Sequence, residues 1–206
     1  MQNSTPKSIW NSRYKKYKHY THPHVDFTLK SYEYIKDIPN CRLLDIGCGD
    51  GRDSIFFAEK GIDVTAIDFA EEAIEQINAD HSSINARVMD ITEMKFPDDS
   101  FDVVYAHLTL HYFDDETTEK IIKNIYRMLK KDGYFFIKCK SVKDSLYGKG
   151  EKVGEDMYKS DHVRHFFSEE YMKEKLKNFE IVNLQSITRS YDDKTSSFVE
   201  AVAIKD

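Results

Sequence analysis

The chain has 206 residues, a formal net charge of −6 and 40% hydrophobic residues. That length is enough to bury a substantial core within one domain, and the acidic balance argues against a surface built to attract nucleic acid. No apolar run approaches the ~20 residues of a membrane span, the opening MQNSTPKSIW lacks the apolar centre of a secretory signal, and the three cysteines, Cys41, Cys48 and Cys139, have neither disulfide parity nor zinc-ligand spacing, so a cytoplasmic protein is expected.

Residues 1 to 8 are polar. Trp10 to Tyr20, WNSRYKKYKHY, mixes bases with aromatics. Such a segment offers stacking and phosphate contacts to nucleic acid, or forms a short amphipathic helix laid over the domain, which the overall charge favours. His19, His22 and His24 cluster without acidic or cysteine companions, so no metal site is expected. Between Pro23 and Pro39, the residues Val25, Leu29, Tyr32 and Ile35 form a helical stripe over Val25 to Lys36.

Arg42 to Ile46 reads as a short buried strand. Gly47, Gly49 and Gly51 follow at alternate positions, and Ser54 to Ala58 then opens a helix that Gly61 closes. Strand, glycine-rich turn and helix begin a nucleotide-binding α/β unit. The spacing is G-x-G-x-G: Arg52 stands where a dinucleotide fingerprint needs its third glycine, and no Gly-Lys-Ser/Thr of a phosphate loop follows. Asp45, just ahead of the first glycine, suits a cationic ligand better than a pyrophosphate. Asp63 to Asp68, DVTAID, is a second strand. It ends in a carboxylate about 20 residues beyond Gly47, where this kind of fold places the acceptor for ribose hydroxyls. Asp68 also suits capping of the helix in AEEAIEQIN. Asn85 to Asp90, NARVMD, is a third strand with an acid at its end.

Pro97 to Ser100 is a turn, and Phe101 to Ala106 a fourth strand. His107 and His111 follow, four apart and so on one face if helical. Residues 115 to 131 form a helix with Thr118, Ile121, Ile122, Ile125, Met128 and Leu129 on one side, ended by Lys130, Lys131 and Gly133. Tyr134 to Lys140 is a fifth strand. Ser141 to Phe167 is polar, contains three glycines, and is too long for a simple connection. Ser168 begins a helix to Lys177. Glu180 to Ser186 and Ser197 to Ile204 read as two last strands joined by a polar hairpin turn around Asp192 and Asp193. Alternation of strand and helix predicts a parallel sheet covered on both faces. Asp45, Asp68, Asp90 and His107 all fall at carboxyl ends of strands, where ligands bind.

LLDIGCGDGRDS, FPDDSFDVVYAHLTLHYF and MLKKDGYFFIK resemble motifs I, II and III of the class I S-adenosylmethionine-dependent methyltransferases, the last departing at Lys131 and Asp132. In motif II a histidine-bearing helix follows the strand. The resemblance implies a Rossmann-like, doubly wound seven-stranded α/β sheet, mostly parallel with an antiparallel last strand. It implies one domain over 1–206: an N-terminal helical cap (1–38), a cofactor-binding core (40–140), a substrate lid (141–167) and a closing helix and strand pair (168–206).

The implied cofactor is S-adenosylmethionine, leaving as S-adenosylhomocysteine. By carry-over Gly47, Cys48, Gly49 and Gly51 line it, Asp45 lies near its ammonium, and Asp68 with Phe69 meets the ribose. Asp90 and the Ile91 amide meet the adenine, and Ala106 and His107 border the methionine part. Trp10 and Tyr14 come from the N-terminal helix that caps the pocket in many members. Methyl transfer is an in-line displacement that many members run without a strong base. If the acceptor carries a proton, His107 and His111 are the candidate bases, with His162 and His165 as alternatives; the 107/111 spacing also allows a metal pair, but no third ligand is evident, so no metal is expected. Ala106-His107-Leu108-Thr109 replaces the (D/N)-P-P-(Y/F) motif of amine and amide methylation. The chain is thus similar to small standalone methyltransferases with small-molecule acceptors, such as the tellurite-resistance and thiopurine types. It would be a monomer or homodimer without nucleic acid or membrane partners. The alternatives are an RNA methyltransferase using the Trp10–Tyr20 segment, a nicotinamide-dependent reductase, against which Arg52 counts, and a cofactor-binding protein without turnover.

Overall fold

The computed structural model describes residues 6–16, 26–191 and 194–206. The hairpin turn expected at Asp192 and Asp193, the histidines 19, 22 and 24, and the end of the basic-aromatic stretch lie outside the described residues. Two helices, α1 (Pro6–Lys16) and α2 (Asp26–Ile35), precede an alternating run: β1 (Arg42–Ile46), α3 (Arg52–Glu59), β2 (Asp63–Asp68), α4 (Glu71–Asp80), β3 (Asn85–Val88), β4 (Phe101–His107), α5 (Asp115–Met128) and β5 (Leu129–Lys140). Then come β6 (Glu151–Gly154), β7 (Met157–Lys159), β8 (Val163–His165), α6 (Glu169–Lys175), β9 (Glu180–Tyr191) and β10 (Lys194–Ile204).

Seven strands form one sheet in the order β3-β2-β1-β4-β5-β10-β9. β1 to β5 run parallel. β10 is antiparallel to both β5 and β9. This is the expected doubly wound, Rossmann-like arrangement, with the strand last in sequence running against its neighbours. Successive strand residues point to opposite faces, and here both faces are covered. Leu43, Val103, Tyr105 and Phe136 join a core with Phe27 and Ile35 of α2, Phe57 of α3 and Ile74 of α4. Leu44, Val104, Phe135 and Ile137 join the other core with Ile121, Ile122 and Ile125 of α5 and Met172 of α6. Each fully buried aliphatic chain contributes about 1.5–3 kcal/mol of transfer free energy, which is why these strands read as near-continuous apolar runs.

Two expectations need correction, and a third segment has structure that the sequence did not predict. The helix read over 115–131 stops at Met128. Leu129 is fully buried and pairs with Phe101, and Lys130 Nζ bonds both oxygens of Asp102 at 2.8 and 2.9 Å, so the chain has entered the sheet. Gly133 is required there by contact: a Cβ would stand 2.8 Å from the Lys130 carbonyl oxygen. Second, His107 is the last residue of β4, and His111 lies in a separate 3₁₀ turn, Leu110–Tyr112, so the two share no helix face. Left-handed backbone at Leu108 (φ 60°) separates them. Third, residues 141–167 contain a three-stranded antiparallel sheet, β6-β7-β8. Its strands are short and mostly exposed or half-buried, so they carry no apolar alternation.

Candidate functional site

The site lies along the carboxyl edge of the parallel strands. After β1 the chain turns back on β2: the amides of Gly47 and Cys48 donate to the Ile67 carbonyl at 2.7 and 3.0 Å. Gly47 and Gly49 sit at φ +70° and +56°, a region that favours glycine. A Cβ on Gly47 would stand 2.4 Å from Thr109 Cγ2, and one on Gly49 would stand 2.7 Å from the Tyr14 hydroxyl. Gly51 at φ +83° starts α3.

Asp68 closes the turn. Its carboxylate accepts from the Gly49 amide at 3.0 Å and the Ala70 amide at 2.8 Å. This leaves a lone pair on each oxygen at the crevice. Burial raises its pKa. Asp68 is therefore not the expected cap of α4: the cap position is Ala70, two residues on, and Phe69 follows β2 directly. Asp45, 2% exposed, accepts from Ser54 Oγ at 2.6 Å. Burial, then repulsion from Asp53, pushes it up to about 7. Asp90 is exposed and caps a 3₁₀ turn, accepting from the Thr92 amide and hydroxyl at 2.8 and 2.7 Å. Ile91 beside it is buried, while Val88 is 46% exposed. The thiol of Cys48 is pushed up by burial and stays protonated. Ala106 is fully buried.

His107 is held from behind. Its Nδ1 lies 2.8 Å from Asp53 Oδ2 and 2.8 Å from Arg52 Nη2. Asp53, in the first turn of α3, also accepts from Arg52 Nε at 2.9 Å and Thr28 Oγ1 at 2.8 Å. Although burial opposes it, these hydrogen bonds hold Asp53 well below the usual carboxylate range. Burial pushes His107 down and favours the neutral ring; its Nδ1 then donates to Asp53 in one tautomer or accepts from Arg52 in the other. Arg52, Asp53, Thr28 and Thr109 were not singled out as site residues in the sequence. The signal was present in Arg52-Asp53: an acid in the first turn of a helix directly after the glycine loop.

The opposite wall is aromatic. Trp10 stacks on Tyr14 of the same helix and meets Tyr112 edge-on, with ring centroids 6.0 and 5.5 Å apart. His162, between β7 and β8, packs on Tyr112 at 5.2 Å. Arg13 pairs with Asp161 at 2.8 Å, joining α1 to the β6-β7-β8 sheet. The Tyr14 hydroxyl is pushed up by burial and by Asp68, and makes no hydrogen bond among the described residues. His111 is 2% exposed and its Nδ1 has no partner among the described residues. Burial, with the charges of Lys140 and Arg164, keeps it neutral. His162 Nε2 is likewise unpartnered, whereas His165 Nδ1 is spent on the Phe113 carbonyl at 3.2 Å. Among the described residues no group of three or more His, Cys, Asp or Glu could hold a metal ion, and no helix is long and apolar enough to cross a membrane.

A family model described as a methyltransferase domain matches residues 44–137. Phosphoethanolamine N-methyltransferase 3 of Arabidopsis thaliana is 30% identical over 110 residues, which are 51% of this chain and 22% of that protein. The chain thus spans about a fifth of that curated relative's length. TehB from Haemophilus influenzae superposes with a TM-score of 0.71 at 21% identity, covering 96% of this chain and 67% of that one. The 1,6-didemethyltoxoflavin-N1-methyltransferase of Burkholderia thailandensis, solved with 1,6-didemethyltoxoflavin and S-adenosylhomocysteine, gives 0.70 at 19% identity, covering 87% and 76%.

Proposed function

We propose that this chain transfers the methyl group of S-adenosylmethionine to a small-molecule acceptor, a reading supported by the match of residues 44–137 to a methyltransferase-domain model. The observation that carries the reading is the row of acids at the ends of adjacent strands. Asp45 and Asp68 stand on β1 and β2, Asp90 follows two residues after β3, and Asp68 is tied to the glycine turn. The free lone pairs of Asp68 match a ribose diol. The exposed Val88 beside Asp90 and the Ile91 amide offers an apolar face and polar edge for adenine. Gly47 and Gly49 offer backbone with no side chain of their own, Cys48 stands between them, and Phe69 flanks the ribose position. Asp45 suits the ammonium, and the backbone at Ala106 and His107 borders the tail. The residues present therefore fit this group.

When bound, S-adenosylmethionine supplies a methyl carbon on a sulfonium, displaced in line by the acceptor. The protein's contribution is placement and exclusion of water. Trp10, Tyr14 and Tyr112, with the β6-β7-β8 sheet as lid, form the dry wall on the acceptor side. His111, whose Nδ1 has no partner among the described residues, is the candidate to accept an acceptor's proton, although burial makes it a weak base. His107 is engaged by Asp53 and serves to position rather than to take up a proton. The Tyr14 hydroxyl occupies the space over Gly49, so α1 shifts to admit the cofactor. The whole of 1–206 acts as one domain in the cytoplasm, as a monomer or homodimer without nucleic acid. Small acceptors fit the names of the relatives, one a phosphoethanolamine N-methyltransferase and one holding 1,6-didemethyltoxoflavin.

Calorimetric titration tests the cofactor. Micromolar binding of S-adenosylhomocysteine and none of NAD is expected. The reverse pattern would overturn the proposal, and binding without turnover of any small acceptor would leave only a cofactor-binding protein.

A further inference from the structure

A second residue beside the glycine turn has a role in holding the cofactor that rests on the reading just given. In the sheet order β3, β2, β1, β4, neighbouring strands stand about 4.8 Å apart, so Asp90, Asp68, the glycine turn and His107 make a row about 14 Å long. A nucleoside laid along it with its base at Asp90 and its ribose at Asp68 directs its amino-acid tail to the β1–β4 end. That tail carries an ammonium and a carboxylate. Asp45 answers the ammonium. The carboxylate needs a cation with a free donor.

Lys138, at the end of β5, does not qualify, because it is buried and paired with Glu200 at 2.8 Å. Arg52 does. Its Nε and Nη2 lie flat against Asp53 at 2.9 and 2.8 Å, and Nη2 also meets His107 Nδ1 at 2.8 Å. Asp53 is itself anchored by Thr28. The guanidinium is thereby fixed in plane by one edge. Its side chain is 23% exposed, and Nη1 makes no hydrogen bond among the described residues. A planar, pinned guanidinium with one free edge is well suited to a carboxylate. We propose that Arg52 binds the α-carboxylate of the methionine portion, with Asp53 and His107 as the positioning residues that aim it.

The test compares ligands with and without the tail. By calorimetry, Arg52→Gln is expected to weaken S-adenosylhomocysteine at least tenfold and to leave 5′-methylthioadenosine, which lacks the tail, within twofold. Equal weakening of both ligands assigns Arg52 to the scaffold and overturns the proposal, as does unchanged binding of both. Should the variant not fold, the unaltered protein decides with S-adenosyl-3-thiopropylamine, which keeps the amine and lacks the carboxylate. At least tenfold weaker binding than S-adenosylhomocysteine supports the proposal; equal binding overturns it. Absence of any S-adenosylhomocysteine binding by the unaltered protein overturns the cofactor reading itself, and this assignment with it.

Discussion

The two walls of the crevice are built differently. The donor wall consists of strand ends and the turn between β1 and α3, tied by short hydrogen bonds among buried groups: Asp68 to Gly49, Asp45 to Ser54, Asp53 to Arg52, His107 and Thr28. The acceptor wall is α1 and the β6-β7-β8 sheet. Outside its aromatic contacts, α1 is held by the ion pairs Lys7–Glu71, Lys15–Glu72 and Arg13–Asp161, all well exposed on at least one side, and by two long hydrogen bonds from α4, the Glu72 amide to Asn11 Oδ1 at 3.4 Å and Gln76 Nε2 to the Tyr14 carbonyl at 3.2 Å. Exposed pairs contribute about 0–1 kcal/mol each. One wall is thus fixed and the other is loosely applied to it. The proposed enclosure and release of two ligands would benefit from that division, because low-stability elements are the ones that move.

The largest effect should come from cutting the rigid wall at its centre. Asp53→Ala leaves the Arg52 guanidinium and the His107 ring buried without their shared partner. Removing one member of a buried charged cluster costs about 3–5 kcal/mol. Urea unfolding should show a lower midpoint at unchanged slope. A loss below about 1 kcal/mol would place this cluster in the same class as the surface pairs of α1 and dissolve the contrast.

Next comes Asp68→Ala. It deletes the acceptor of two backbone amides and the proposed ribose contact, and should weaken S-adenosylhomocysteine by more than about 1.4 kcal/mol, or tenfold. Unchanged affinity in a folded variant would sink the ribose assignment.

The donor wall was also the legible one. β1 and β2 stand at the boundaries read from the sequence, because buried parallel strands are apolar runs and the glycine turn has few conformational options. The row Asp45, Asp68, Asp90 followed from strand ends alone. Asp53 escaped notice because an acid in a first helical turn reads as a dipole effect, and only the fold brings His107, from a strand 54 residues later, against it. The lid was opaque for a different reason. Its strands are stabilised by pairing and by turns such as that at Gly150, where a Cβ would meet the Lys159 carbonyl oxygen at 2.2 Å, and not by a buried face. His107 and His111 looked like one helical face because spacing carries no sign of the left-handed residue between them.

Asp45 gives a smaller, pH-dependent prediction. Its pKa, pushed up to about 7 by burial, means that the folded state holds this proton more tightly than the unfolded chain. The stability from this group is therefore present below about pH 4 and lost as pH rises toward 7. A ligand ammonium beside it favours the carboxylate and lowers that pKa. Binding of S-adenosylhomocysteine at pH 7 should then release about half a proton, read from calorimetry in buffers of different ionisation enthalpy. Proton uptake, or none, would remove Asp45 from the ammonium site.

The smallest energetic effect belongs to the loose wall, and it has the clearest reporter. Trp10 is the only tryptophan, and Arg13 lies over its ring at 4.8 Å while pairing with Asp161. Arg13→Ala should lower stability by less than about 1 kcal/mol, a shift of under about 4 °C in Tm. Acrylamide quenching of Trp10 fluorescence should nevertheless rise clearly, because the helix has lost its tie to the lid. S-adenosylhomocysteine should alter Trp10 quenching in the unaltered protein, since Tyr14 on the same helix must leave the space over Gly49. A large fall in Tm without a change in quenching would mean that α1 is part of the rigid wall, and that the acceptor enters from the lid side alone.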